Sequence, residues 1–438
     1  MRRIRPAVLT AWCIALLAPA AAAGAATAGR PLHVLVQAGR DLGSLAAGTR
    51  SPADRTSLTA AELAMGRATA PSLWIDPDHL VAPAHGSSAF ANSRGALRDL
   101  EQVSPAAAPA GRIAGLEASI LGADRDLAVG AIHQAAGGPG GLLARAGGMI
   151  LSGDRWAATS RLDLGAEQYG AAWRSAFQAL TDLVVLRTMS TPAAAVGAGA
   201  ENGLRARATR PVGVRLVSGR APLERAGRPE VLFVGLESCG LCAVERWGLV
   251  VALSRFGGFT NLRLGESATT SPPVLTSFMF VGSSYVSPYV SFVPLELTGD
   301  VRRPGGGYRP LARLTVPQRS LLYALDPAGV APFVDVGNRA IDVGATVSSG
   351  ALGGSSWPAL AGSIRNPRAP SGQAIAATAE VITAEICRAT GGAPTSVCGG
   401  AAVRDYLRRL AGFGGRDGGC RIGLSERRRA TASRTRTR

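Results

Sequence analysis

The chain contains no lysine, so its formal charge of +17 is carried by arginine alone. A basic balance made this way reflects codon usage as much as selected chemistry. Between Ala401 and Arg438 there are 11 arginines against three acids. That stretch is rich in Gly, Arg, Ser and Thr and has too little apolar content to form a core. No nucleic-acid fold signature accompanies it, so a solvated tail is read there in preference to a nucleic-acid interface. Histidine is scarce as well, with four in the chain. His33, His79 and His85 fall in no ligand spacing. Asp124, Asp126, His133, Asp163 and Glu167 form no helical Glu-x-x-His set, so no metal site is expected. After residue 23 there is no stretch long and apolar enough to span a membrane.

The N-terminus carries a processing pattern. Arg2, Arg3 and Arg5 precede an apolar run from Ala7 to Ala23, and Ala26-Thr27-Ala28 offers an A-x-A cleavage site. Residues 1–28 read as a signal peptide or an N-terminal anchor, with any membrane contact made through residues 7–23. Either reading puts the bulk of the chain outside the cytoplasm. Cys13 lies inside the run without the small preceding residue that a lipoprotein site needs. The other five cysteines are Cys239, Cys242, Cys387, Cys398 and Cys420. Two pairs and one odd thiol in the tail fit an oxidising compartment, where bridges persist.

The order of segments follows from composition and period. Residues 29–108 are Ala/Gly/Ser/Pro-rich, low in complexity and poorly defined. Residues 109–189 are predicted to be an antiparallel helical domain. Leu116, Ile120, Leu127 and Ala131 recur at helical spacing, and Tyr169, Trp173, Phe177, Leu180 and Val184 form a second stripe. Residues 190–211 read as a linker. From 212 to 398 strand and helix signals alternate, with strands expected around 213–217, 230–234, 277–281, 290–297 and 331–336. Helices are expected at 239–256, 318–323 and 373–390, the first and last stopped by Gly pairs. Residues 399–438 are read as a disordered Arg-rich tail.

One stretch organises the rest: Val231-Leu-Phe-Val-Gly-Leu-Glu-Ser-Cys-Gly-Leu-Cys-Ala-Val-Glu-Arg-Trp247. An apolar strand runs through a short turn into Cys239 and Cys242, at the mouth of an apolar helix. That is the setting in which a dithiol is made reactive in a thioredoxin-like fold. At a helix N-terminus the unpaired N–H groups and the dipole favour the thiolate, which lowers a thiol pKa to roughly 3.5–7.5. Cys239 is expected to be the exposed attacking sulfur, and Cys242 the deeper one that resolves the mixed disulfide. Glu237 either opposes thiolate formation as an anion or assists as a proton acceptor. Two structural alternatives stand beside this: a permanent bridge within the C-x-x-C, and a zinc site. The latter would need four ligands, and the spacing of Cys387 and Cys398 is unlike a zinc knuckle.

Several stretches together resemble a known family. They are Gly219-Arg-Ala-Pro-Leu223, Gly227-Arg-Pro-Glu-Val-Leu232, Cys239-Gly-Leu-Cys-Ala-Val-Glu-Arg-Trp247 and Val251-Ala-Leu-Ser-Arg-Phe-Gly257. Further along come Tyr289-Val-Ser-Phe-Val-Pro-Leu-Glu296, Ala331-Pro-Phe-Val-Asp-Val-Gly-Asn338, Ile386-Cys-Arg-Ala-Thr-Gly391 and Val397-Cys398. The family is the thioredoxin-like group catalogued as domain of unknown function nine-two-nine, and the resemblance covers about residues 212–398. It implies a thioredoxin-like domain, a mixed sheet flanked by helices. It implies that Cys239 and Cys242 are redox cysteines, that Ala331-Pro332 is a substrate-positioning cis-proline step, and that Cys387 and Cys398 form a structural disulfide. The family commonly has Tyr-Cys-Pro-Tyr-Cys where this chain has Ser-Cys-Gly-Leu-Cys. That exchange alters loop stiffness and redox potential while both sulfurs remain.

The expected molecule is therefore an α/β protein, secreted or membrane-anchored, in which a signal sequence and a small all-α helical domain precede a thioredoxin-like domain. The expected function is extracytoplasmic thiol–disulfide exchange on protein substrates. It calls for no metal and no organic cofactor, and a membrane redox partner would supply or accept electrons. Oxidation, reduction and isomerisation are all open to such a dithiol. The alternative is a non-catalytic thioredoxin-like binding or structural protein.

Overall fold

The structure is a computed structural model that describes residues 29–206, 211–268, 274–303, 305–413 and 420–422. The signal or anchor reading of residues 1–28, with Cys13, lies outside the described residues, as does the arginine-rich stretch 423–438. The N-terminal part is helical: α1 (Pro31–Gly48), α2 (Pro52–Ala68), α3 (Pro83–Glu101), α4 (Arg112–Gln134), α5 (Gly140–Ala158), α6 (Leu162–Met189) and α7 (Ala193–Arg205). Proline opens α1, α2 and α3, where its missing N–H has no partner to lose. The Ser51 hydroxyl caps α2 by accepting the Asp54 N–H.

Two expectations are corrected here. Residues 29–108 hold three full helices where a poorly defined stretch was expected. Their buried stripes run through Leu35, Ala38, Leu42 and Ala46 in α1, then Leu58, Ala61, Met65 and Ala68 in α2. Alanine supplies both the helix propensity and half of the buried face, so the stripe is hidden in a composition that reads as low complexity. Within the expected linker 190–211, residues 193–205 form α7, which packs on a later helix, α11 (Pro370–Ala389). A Cβ on Gly199 would lie 3.3 Å from the Ala376 Cβ, so the small residues taken for linker composition set a close helix–helix contact.

The second part contains β1 (Val214–Leu216), β2 (Arg228–Gly235), α8 (Gly240–Leu253), β3 (Ser291–Glu296), α9 (Val316–Leu325), β4 (Val330–Ala331), β5 (Phe333–Val336) and β6 (Ala340–Val343). After these come α10 (Trp357–Ser363), α11, α12 (Thr395–Cys398), α13 (Ala401–Arg409) and β7 (Cys420–Arg421). The main sheet runs β3-β2-β5-β6-β1 and is mixed. β3 is parallel to β2, with Phe292 opposite Val231, while β5, β6 and β1 follow in antiparallel pairs. Val231, Leu232, Phe233 and Val234 are all buried. Unbroken burial along β2 is the pattern of a central strand covered on both faces.

α8 is buried from Cys242 to Leu253. It packs against α11, against α6 of the helical part and against the strand Thr276–Met279. A helix enclosed on so many sides reads as apolar all round, which is why its sequence shows no clean polar face. The two parts share one core. Phe90, Trp173, Phe177 and Trp357 form a chain of ring contacts at 5.5, 5.7 and 5.5 Å. The Trp357 Nε1–H is shared between the Gly265 and Ser277 carbonyls.

The described part of the expected disordered tail is folded. Val403, Tyr406 and Leu410 are buried at helical spacing along α13 and the turn after it, a stripe masked by the surrounding arginines. Residues 420–422 then run along β4, with Ala331 opposite Cys420 and Val330 opposite Arg421. Among the described residues no single helix is long and apolar enough to cross a membrane.

Candidate active site

β2 hands the chain through Leu236, Glu237 and Ser238 to Cys239, the N-cap of α8. Backbone bonds pin this turn. The Glu237 N–H donates to the Thr298 carbonyl at 2.9 Å, the Ala268 N–H to Ser238 at 3.2 Å, and the Cys239 N–H to Leu236 at 3.1 Å. Gly240 and Leu241 are therefore the first helical residues between the two sulfurs. The Cys239 Sγ lies 4.0 Å from the Ala331 carbonyl oxygen, and the Ala331–Pro332 peptide bond is cis. The structure thus brings Cys239, Cys242, Ala331 and Pro332 to one place. Cys387 and Cys398 are elsewhere: a disulfide with a Cα–Cα distance of 5.5 Å joins the end of α11 to α12.

Two expectations about the sulfurs change. Cys239 is only 3% exposed, so it is not the open attacking sulfur that was expected. Cys239 is disulfide-bonded, whereas Cys242 is a buried free thiol. The C-x-x-C sulfurs are therefore not bonded to each other. Ala331, whose carbonyl lies beside the Cys239 sulfur, belongs to β4, and β4 pairs with β7. Burial pushes the Cys242 thiol up to about 12, with Glu296 and Glu245 adding to the rise and Arg246 opposing it.

Beneath the turn sits an ion pair that the sequence reading did not identify. Arg246 Nε and Nη2 donate to the two carboxylate oxygens of Glu296 at 2.7 and 2.8 Å, with both side chains out of solvent. The same Nη2 donates to the Leu236 carbonyl at 2.9 Å. Arg246 thereby ties α8, the end of β3 and the turn before Cys239 into one unit. A signal for it existed, since Arg246 and Glu296 both lie in stretches that carry the family resemblance.

A second polar group faces this turn from the helical part. His85, in the first turn of α3, bonds Asp300 through Nε2 at 3.2 Å. The Ala82 N–H donates to Glu266 at 3.2 Å. Burial pushes Glu237 up to about 7, helped by Glu296 and Asp300, and pushes Glu266 up to about 8. The hydrogen bond to Asp300 raises His85. His85 was read as an ordinary polar residue; it links the helical part to the segment after β3.

Glu245, one turn beyond Cys242, accepts from the Thr346 N–H and hydroxyl at 3.0 and 3.1 Å. Glu245, Asp342 and Glu385 are fully buried, and desolvation raises all three carboxyls. Asp342 makes Glu245 and Glu385 harder to ionise, while the hydrogen bond with Glu385 offsets part of the burial effect on Asp342, so the group holds protons into the neutral range.

Residues 217–304 match a family model described as a domain of unknown function. That family is DUF929. The DUF929 segment takes in β2, the turn, both site cysteines, α8, β3 and Glu296. It ends before β4, Pro332 and the Cys387–Cys398 bridge, so it is shorter than the resemblance drawn over residues 212–398. Comparison with curated proteins and with solved structures finds no match.

Proposed function

We propose that this chain carries out thiol–disulfide exchange on protein substrates outside the cytoplasm, through a thioredoxin-like domain. The observation that carries the proposal is the setting of Cys239. It caps a helix that follows the central strand, with the Ala331 carbonyl 4.0 Å from its sulfur. What supports the thioredoxin-like assignment is the strand order β3-β2-β5-β6, with its single parallel pair, and the place of Pro332 at the start of β5.

In this reading the Cys239 thiolate, favoured by the N-terminal N–H groups of α8, attacks one sulfur of a substrate disulfide. The other substrate sulfur leaves as a thiolate and takes up a proton. Cys242 then attacks the Cys239 sulfur, which frees the second substrate thiol and leaves a Cys239–Cys242 disulfide. Cys242 must lose its proton for that step, and the leaving substrate thiolate takes one up. An extended substrate segment pairs with β4 in place of β7, which holds that strand at rest. A membrane redox partner resets the pair, and the N-terminal signal or anchor sets the compartment.

A second reading has an observation of its own. The burial of Cys239 and its existing disulfide favour a binding or structural protein that keeps the fold without turnover. An exchange assay separates the two. The purified chain is incubated with a scrambled disulfide protein in a thiol buffer, beside its Cys239→Ser variant. Acceleration lost in Cys239→Ser supports exchange; equal rates for both chains in oxidising and reducing buffers support the second reading.

A further inference from the structure

We infer that the cleft between α7 and the α12–α13 segment binds a small zwitterion, a free amino acid or short peptide with charged amino and carboxyl ends. Arg255, which lines it, follows the C-terminal end of α8, whereas Cys239 caps the other end. The inference therefore stands apart from the exchange reading.

The cavity has a volume of about 380 Å³, within the roughly 300–1,000 Å³ of small-molecule sites. One wall is a single face of α7, where Ala194, Gly197, Ala198 and Glu201 recur at helical spacing. The other is Val397, Gly400 and the first turn of α13. A Cβ on Gly197 would fall 2.9 Å from the Ala402 Cβ, so the two walls meet at that level. The Cys387–Cys398 bridge ties the α12 wall to α11, the helix that carries Glu380.

The deep end holds charge. Arg255 Nη2 donates to Glu380 Oε1 at 2.7 Å, and the Glu380 side chain is 1% exposed. Arg255 also donates to the Thr383 hydroxyl at 3.3 Å. Glu380 Oε2 is buried and accepts no hydrogen bond from the described residues. What this end lacks is a donor, and an ammonium group in the cleft supplies one. Glu201, whose exposed side chain meets Arg205 at 3.4 Å, adds a second carboxylate to the lining.

The opposite preference stands one turn away. Ala193 and Ala194 open α7, Ala401 and Ala402 open α13, and all four line the cleft. Neither helix has a side-chain cap. The first N–H groups of a helix have no partner within it and favour an anion. A Cβ on Gly197 would lie 3.9 Å from Glu380 Oε1. That sets the carboxylate at the level of Gly197, about 6 Å along α7 from Ala193. An extended dipeptide separates its charged ends by about 7 Å. A simple amine leaves the helix N-termini unmet, and a simple anion meets two carboxylates; a zwitterion answers both ends.

Binding to the full chain is measured by calorimetry with three probes: L-alanyl-L-alanine, its N-acetyl form and its C-terminal amide. The free dipeptide is expected to bind saturably and to raise the melting temperature. Each blocked form is expected to bind at least about tenfold more weakly, the loss that follows from one charge-assisted contact. Ala198→Leu fills the cleft from a half-buried position, and is expected to abolish binding while the chain still melts cooperatively. Glu380→Gln is expected to weaken the free dipeptide and leave the N-acetyl form unchanged, a contrast that misfolding does not produce. No saturable binding of the free dipeptide, equal binding of the three probes, or equal binding by Ala198→Leu and the parent would each overturn the inference.

Discussion

Arg246 and Glu296 meet by two hydrogen bonds, 2.7 and 2.8 Å long, with neither side chain reaching solvent. Removing one partner leaves a buried charge without its counter-ion, which costs about 3–5 kcal/mol. Arg246→Met is expected to lower the unfolding free energy by that amount, and Arg246→Met with Glu296→Leu to recover most of it. Equilibrium unfolding of the two variants checks this. A single variant as stable as the parent would show that the pair does not hold the turn before Cys239.

α8 and α11 approach each other closely at Gly248. A Cβ there would fall 2.1 Å from the Thr378 Cγ2, so Gly248→Ala overpacks a contact that cannot open without moving a helix. The expected loss is about 1–3 kcal/mol. Thr378→Ala in the same chain should relieve part of it. Thermal unfolding of the three variants reads the effect.

Stability is expected to fall as pH rises through the neutral range. Burial raises Glu237 to about 7 and Glu266 to about 8, and also raises the Glu245, Asp342 and Glu385 carboxyls. In the unfolded chain these acids ionise at about pH 4, so above that pH the native state holds more protons and stability declines. His85, raised by Asp300, acts in the same direction, because its charged form is favoured in the fold and is lost as pH rises through its folded pKa. Melting temperatures measured from about pH 5.5 to pH 8 should therefore decrease. A flat or rising curve contradicts the protonated buried acids.

The Cys387–Cys398 bridge is separate from the exchange site. Its two cysteines are 11 residues apart in sequence, and replacing both with alanine is expected to cost about 2–4 kcal/mol of stability. Exchange activity per folded molecule should not change. A variant with normal stability and lost exchange would place this pair in the redox pathway instead.

What the sequence made legible was the strand–turn–helix around Cys239, because a run of apolar residues, a short turn and two cysteines are all local signals. The aromatic stripe of α6 was readable for the same reason, since Tyr169, Trp173 and Phe177 are large against an alanine background. The stripes of α1 and α2 were not, because alanine served as both filler and core. α7 was missed because Gly197 and Gly199 look like linker residues until a partner helix is placed against them. The burial of Cys239 was out of reach as well, because a C-x-x-C motif at a helix start says nothing of what lies over it. His85 and Asp300 are 215 residues apart in sequence, and no local spacing could join them.

The central proposal is that Cys239 forms mixed disulfides with substrate chains, and trapping tests it most directly. A chain carrying Cys242→Ser and Cys420→Ser lacks both the internal resolving thiol and the tail cysteine. Incubated with a peptide disulfide and mapped by mass spectrometry, it should accumulate the peptide on Cys239, and the further change Cys239→Ser should abolish the adduct. If a folded chain shows no adduct at Cys239 under conditions where small thiols exchange freely, the proposed function is contradicted.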